Sequence, residues 1–312
     1  MAEAIAVPKV NLKTLTVTQR YFAFVNDDDF TLSLNYSVDG SGATWSWQSL
    51  GGPVGGVLGL PAATAYFNGD LATDGRAINH FNVFMTDGHL WMITSSDDGA
   101  SWGSWQDHGV PAVGISVGYP DALSRQSVDP GFQQNIFCHV TGSDGHLYVN
   151  YSLDGGASWS WADRGTPSAT VTLSRTCSVS FFDYTRQSLF TFAVGSDGHL
   201  WAHSGDGAIW TWEDLGTPPG TSVATEANIP QAVTYLTNIK KGKPLTSEEA
   251  IWVFVLGTDN HLHACYSPGW GLVWNWEDRG TPAASIGALY TNACWFRMNP
   301  QLRCSRRTFS SS

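Results

Sequence analysis

Thr86-Asp87-Gly88-His89-Leu90-Trp91 returns as Ser143-Asp144-Gly145-His146-Leu147-Tyr148 and as Ser196-Asp197-Gly198-His199-Leu200-Trp201. A looser copy is Thr258-Asp259-Asn260-His261-Leu262-His263, and a degraded one, Asp28-Asp29-Phe30-Thr31-Leu32, opens the series. The aspartates at 29, 87, 144, 197 and 259 are 58, 57, 53 and 62 residues apart. Self-similarity at this period marks a chain built from stacked copies of one supersecondary unit.

Each copy reads as strands. Phe81, Val83 and Met85 alternate with Asn82 and Phe84, the period-2 signature of a pleated strand. Asp-Gly then turns the chain, because glycine takes positive φ at little cost. A second run follows, such as Leu147-Tyr-Val-Asn-Tyr-Ser152, and then a glycine-rich turn. About 15 residues on lies a tryptophan pair, which makes the outermost strand. The pairs are Trp45/Trp47, Trp102/Trp105, Trp159/Trp161, Trp210/Trp212 and Trp274/Trp276. Four pairs lead into an acid, a glycine and a proline, as in Asp163-Arg-Gly-Thr-Pro167, whereas the first leads into Gly51-Gly-Pro53.

An innermost strand follows each Gly-x-Pro. Its copies are Thr64-Ala-Tyr66-Phe-Asn68, Val117-Gly-Tyr119-Pro-Asp121, Val179-Ser-Phe181-Phe-Asp183, Val233-Thr-Tyr235-Leu-Thr237 and Ala288-Leu-Tyr290-Thr-Asn292. The expectation is an all-β chain forming a single five-bladed β-propeller of four-stranded antiparallel blades. The last copy is assigned to the N-terminal blade, so that the C-terminal strand closes the ring and leaves no open edge. Blade 1 is then residues 12–53 plus 285–295, and blades 2 to 5 are 60–111, 113–167, 170–218 and 222–282.

Composition narrows the function. The net charge of −11 and pI near 5.1 repel polyanions, which speaks against nucleic acid and acidic membrane surfaces. No apolar run approaches ~18 residues, so no membrane insertion is expected. The N-terminal stretch has no basic, then apolar, secretory pattern, which leaves a cytoplasmic or non-classically secreted protein as the expectation. Five cysteines without a CxxC pair indicate neither a disulfide framework nor a zinc site. No cofactor is implied, and four histidines on separate blades cannot converge on one metal.

The stretches Ser95-Ser-Asp97-Asp-Gly99-Ala-Ser-Trp102 and Ser152-Leu-Asp154-Gly-Gly156-Ala-Ser-Trp159 fit S-x-D-x-G-x-x-W. This resembles the Asp-box of sialidase-type propellers, where the box is a structural turn. The full repeat, D-G-H-L-[WY] followed by W-x-W-x-D-x-G-x-P, looks like the propeller lectins of the bacterial PLL type and the related fungal fucose-binding propellers. The resemblance implies binding of fucose or related sugars between neighbouring blades. Transferred to this chain, it points to the outer Trp47, Trp105, Trp161, Trp212 and Trp276 and to Trp91, Tyr148 and Trp201. A sugar's C–H-rich face stacks on indole, and its hydroxyls need fixed polar partners.

The inner-strand copies add Tyr66, Asn68, Phe181 and Asn292 as further ligand-binding candidates. They also support an alternative, an enzyme with one central pocket. Asp121 and Asp183, with Tyr119, Tyr235 and Tyr290, are then the catalytic candidates. Two carboxylates suit a glycosidase, though no third is evident, since Glu226, Glu248 and Glu249 fall in loop-like stretches. Some fungal propellers that look like fucose lectins promote cyclisation or cycloaddition, and an aromatic ring would serve that chemistry too. A protein-interaction platform is the third possibility. The primary expectation is a lectin that takes a glycan or small-molecule ligand.

Overall fold

The computed structural model describes residues 2–282 except 12, 15, 38–41, 73–76, 127–133, 183–186, 206–208, 226–228, 238–247 and 270. The described residues contain twenty strands and no helix, grouped in five four-stranded antiparallel sheets. Blade 1 holds β1 (Ala2–Asn11), β2 (Thr16–Asn26), β3 (Leu32–Ser37) and β4 (Ser46–Gly51). Blade 2 holds β5 (Leu58–Leu71), β6 (Ala77–Thr86), β7 (Leu90–Ser95) and β8 (Gln106–Gly109). Blade 3 holds β9 (Asp121–Gln126), β10 (Gln134–Thr141), β11 (Leu147–Ser152) and β12 (Ser160–Gly165). Blade 4 holds β13 (Leu173–Phe182), β14 (Gln187–Gly195), β15 (Leu200–Gly205) and β16 (Trp210–Asp214). Blade 5 holds β17 (Gln231–Thr237), β18 (Glu248–Leu256), β19 (Leu262–Ser267) and β20 (Asn275–Asp278). The five sheets form the ring of a β-propeller, with β1, β5, β9, β13 and β17 innermost.

One expectation is corrected here. The inner strand of blade 1 is β1, paired with β2 from Ala2↔Val25 to Asn11↔Thr16, so the N-terminus completes its own blade. Residues 285–295 are not needed there, and they lie outside the described residues. The physical reason is visible in Ala2–Asn11: Glu3, Ile5 and Val7 alternate with Ala4 and Ala6, a strand pattern. Pro8 is tolerated because an innermost strand is a sheet edge. Glu248 and Glu249 likewise begin β18 rather than a loop.

Packing follows from the pleat. Alternate residues of each second strand point to the preceding blade (rear face) or to the following one (front face). Phe22 and Phe24 on the front of blade 1 cluster with Phe81, Val83 and Met85 on the rear of blade 2. Phe84 and Met92 of blade 2 meet Ile136, Cys138 and Val140 of blade 3. Phe190 and Phe192 of blade 4 meet Ile251, Val253 and Val255 of blade 5. Each such side chain taken fully out of water contributes roughly 1.5–3 kcal/mol, so the seams hold the ring.

One side-chain-capped turn recurs in blades 2 and 3. At Ser95 and Ser152 the hydroxyl accepts the amides of Gly99 (3.0 Å) and Gly156 (2.8 Å). Asp97 and Asp154 accept the amides of Ser101 and Ser158, both at 2.9 Å. The Ser158 hydroxyl and amide hold the Asp154 carboxyl at a pKa of about 2.

Candidate functional site

Strand register lines up one row of residues across the rear face of blades 1, 3, 4 and 5. In blade 3 the row is Ala122, Cys138, Asn150, Trp161, and in blade 4 it is Ser178, Thr191, His203, Trp212. In blade 5 it is Ala232, Val253, Cys265, Trp276, and in blade 1 it is Ala4, Ala23, Asn35, Trp47. The outer tryptophan is thereby aimed at the blade before it.

Three of these tryptophans, and Trp105 of blade 2 with them, are occupied. The indole N–H of Trp105 donates to the carbonyl of Leu50 (3.1 Å), Trp161 to His108 (2.9 Å), Trp212 to Arg164 (3.2 Å) and Trp276 to Leu215 (2.8 Å). Each acceptor lies on, or in the case of Leu215 directly after, the outer strand of the preceding blade, one residue after its acid, or after Ser49 in blade 1. The first tryptophans of these pairs are also packed: Trp102 edges onto Phe24, Trp159 onto Phe84 and Trp274 onto Phe192.

Blade 1 differs. Trp47 is 66% exposed and Trp45 47% exposed, and Trp47 makes no such bond with any described residue. Trp45 donates to the carbonyl of Gly42 (2.8 Å), and its ring lies 6.2 Å from that of Tyr21. Tyr21, Asn35, Trp45 and Trp47 thus share one rear face, three of them aromatic and one an amide, with Asn35 directly opposite Trp47.

The aromatics after D-G-H-L are tied to their own turns. Tyr148 Oη donates to Asp144 (2.8 Å), Trp201 Nε1 to Asp197 (3.3 Å), and His263 Nε2 meets Asp259 (3.2 Å). Trp91 packs into the seam between blades 1 and 2. The turn histidines serve a second bond that the sequence did not disclose. His89, His146, His199 and His261 bring Nδ1 to Asp107, Asp163, Asp214 and Asp278, at 3.2, 3.1, 2.9 and 2.9 Å. These aspartates are the acids of the Asp-x-Gly-x-Pro segments, so the two repeated motifs clasp each other. In blade 1 both partners are replaced together, by Thr31 and Ser49, a paired change that was the available signal.

The seams are chemically unequal. Leu50 faces the Ile93 position and Leu215 the Cys265 position, whereas His108 meets Asn150 (Nδ1 to Oδ1, 2.8 Å). Between blades 3 and 4, Arg164 lies 4.4 Å over the Trp210 ring, and His203 stacks on the same ring at 5.1 Å. Burial lowers the His203 pKa to about 4, aided by the Arg164 charge. Burial lowers that of His139 to about 3, aided by His203 and Arg164.

The inner-strand candidates do not form one ring. Tyr66, Phe181 and Tyr235 each stand three residues beyond the small residue of the row, but Tyr119 stands three before Ala122. The register of blade 3 is shifted because β9 begins only at Asp121. Tyr119 instead packs on Gly59 and beneath Arg175, whose guanidinium carbon is 4.3 Å from the ring. Tyr66 donates to the carbonyl of Gly155 (3.2 Å) in blade 3. Asn68 and Thr237 end up within β5 and β17. Asp183, Tyr290 and Asn292 lie outside the described residues.

Asp121 has a different acidic neighbour, Glu3, which occupies the equivalent register position on β1. Burial, and then the charge of Asp121, raises the Glu3 carboxyl well above its usual value. Reading residues 2–11 as a terminus concealed this pair. Among the described residues, no group of three or more His, Cys, Asp or Glu is placed to hold a metal.

A chain of five radially packed four-stranded blades is a β-propeller, and several proteins of known structure that superpose on it are lectins. The fungal lectin of Aleuria aurantia, titled a six-bladed β-propeller with a novel fucose recognition mode, superposes with TM-score 0.55 at 17% identity, over 90% of this chain and 80% of its own. The BP39L lectin of Burkholderia pseudomallei superposes with TM-score 0.59 at 16% identity, over 92% of this chain and 71% of its own. SapL1, solved in complex with α-methyl fucoside, superposes with TM-score 0.53 at 11% identity, over 88% and 81%. No family model and no curated protein sequence matches the chain.

Proposed function

We propose that this protein is a carbohydrate-binding lectin for fucose-like sugars, and that its primary site is the rear face of blade 1 around Trp47. The exposure of Trp45 and Trp47, where the equivalent indoles of other blades are packed, is the observation that carries this reading. An aromatic pair offers a stacking surface to the C–H face of a pyranose, and Asn35 offers both a donor and an acceptor to its hydroxyls. The fold shared with lectins, two of them solved with fucosides, supports the ligand class. Titration of α-methyl fucoside and a monosaccharide panel by calorimetry and tryptophan fluorescence tests it. Binding that weakens about tenfold or more in Trp47→Ala is expected. Absence of binding to every sugar at millimolar concentration removes the proposal.

A second reading, an enzyme with a central site, has one observation in its favour, the Glu3–Asp121 pair. A buried carboxyl whose pKa is raised by desolvation and by a neighbouring carboxylate is the kind of environment that sets acid and base apart. Turnover of aryl glycosides that is lost in Glu3→Gln would favour it over the lectin.

A further inference from the structure

One residue near the end of each outer strand is squeezed out of register. Leu50, His108 and Arg164 are the extra residues of β-bulges, between Ser49 and Gly51, Asp107 and Gly109, and Asp163 and Gly165. Leu215 holds the same place in blade 4, where Leu200 bonds both Leu215 and Gly216. A bulge re-aims a side chain, and these four side chains enter the seam with the next blade. Three of them are matched there. Leu50 joins the cluster that holds Ile93, Leu215 joins the one that holds Cys265, and His108 bonds Asn150.

Arg164 is the exception. Its guanidinium rests on the Trp210 ring, against which His203 also stacks. Among the described residues, Arg164 Nε and His203 Nδ1 have no hydrogen-bond partner, and both atoms are closed to water. The acidic group that acts on Arg164 is a phenol, Tyr151, rather than a carboxylate. Carboxylates are not scarce in this chain, with 27 acids against 16 bases. A buried donor without an acceptor costs about 1–3 kcal/mol, and more when charged. This bulge position carries a cost that the other three avoid.

We propose that the seam between blades 3 and 4 is a carboxylate-binding site, in which the guanidinium of Arg164 pairs with the incoming anion while Trp210 and Tyr151 flank its carbon skeleton. Arg164, Trp210 and Tyr151 are only half-buried, so the site is reached from the rim of the ring. A planar carboxylate matches the guanidinium fork with two parallel bonds. Burial leaves His203 neutral at pH 7, so the two groups together offer one positive charge. A singly charged carboxylate balances it, whereas a phosphate ester, at about −1.5 to −2, overshoots. The carboxylate is carried by an acidic sugar or by a small free acid, and both present the same group. Trp47 takes no part, so the site stands whether or not blade 1 binds fucose.

Nuclear magnetic resonance of the full chain at pH 7 and constant ionic strength tests the site, with acetate, glucuronate or neutral methyl glucoside as the probe. Acetate or glucuronate is expected to shift the Arg164 Nε–H and His203 ring resonances, with saturation in the millimolar range. Glucuronate acting alone would assign the site to an acidic sugar, and both acting alike to a free acid. Arg164→Gln is expected to weaken the binding about tenfold or more, with affinity for α-methyl fucoside unchanged. Arg164→Lys, which keeps the charge without the fork, should weaken it less. If neither variant folds, the resonances of the unaltered protein carry the test. Shifts reproduced by methyl glucoside, or by chloride at the same ionic strength, would overturn the proposal. Carboxylate binding that survives intact in Arg164→Gln would overturn it as well.

Discussion

Trp161 of blade 3 donates its indole N–H to the carbonyl of His108 in blade 2 across 2.9 Å, and both groups lie on outer strands. The same bond recurs at three other seams. It joins the perimeter of the ring, where the apolar clusters give out.

Replacing Trp161 by Phe keeps most of the apolar area but leaves the His108 carbonyl without its donor. The loss expected in urea unfolding is about 1 kcal/mol, rising to roughly 3–5 kcal/mol for Trp161→Ala. Trp47→Phe, at an exposed ring without the bond, should stay within about 0.5 kcal/mol. Equal losses at the two positions would show that the bond contributes nothing.

The same pair of positions separates architecture from recognition. Trp47→Ala is expected to weaken binding of a fucoside about tenfold or more, the scale of ~1.4 kcal/mol, at unchanged melting temperature. Trp212→Ala is expected to lower the melting temperature while leaving affinity for folded protein intact. Affinities that fall together at both positions would place the sugar between blades generally.

Acid should open the seam between blades 3 and 4. His139 and His203 have folded pKa values of about 3 and about 4, below an unfolded value near 6.5. The unfolded chain therefore takes up protons first as pH falls, and stability is lost from about pH 6.5 down towards those values. Each group costs on the order of 1–2 kcal/mol by pH 5. Chemical denaturation at pH 7, 6 and 5 measures the slope, and His203→Gln should make it shallower. An unchanged slope would show that His203 is not desolvated.

Gly59 should not accept a side chain. Its φ is +86°, and a Cβ there would sit 2.4 Å from Cε1 of Tyr119. Left-handed backbone alone costs a non-glycine residue about 1–2 kcal/mol, and displacing the Tyr119 ring from its place under Arg175 adds to that. Gly59→Ala is therefore expected to destabilise clearly in thermal melts. Gly59→Ala combined with Tyr119→Ala should recover only the steric share.

The propeller was legible because its devices are local and repeated: Asp-Gly turns, period-2 alternation and paired tryptophans. Blade 1's inner strand was missed because Ala2–Asn11 carries no Gly-x-Pro before it, and a spare copy at 288–292 offered itself instead. The inner-strand aromatics fall out of step at Tyr119 for a related reason. Similar letters at 117–121 precede the strand they were assigned to, and only hydrogen-bond register tells Asp121 from Ala62 or Gln231. The outer tryptophans were found, but sequence shows which residues are alike and not which of them has lost its neighbour. That distinction, between Trp161 and Trp47, rests on contacts between units rather than within them.

The indole bonds all run one way along the chain, from a donor in the later blade to an acceptor in the earlier one. When a polypeptide emerges N-terminus first, each new unit therefore meets a partner already synthesised. Growth can proceed by accretion at a single leading sheet, and no earlier sheet has to reopen for the next to be admitted. Among the described residues, blade 1 is where the outer indole is left to face outward.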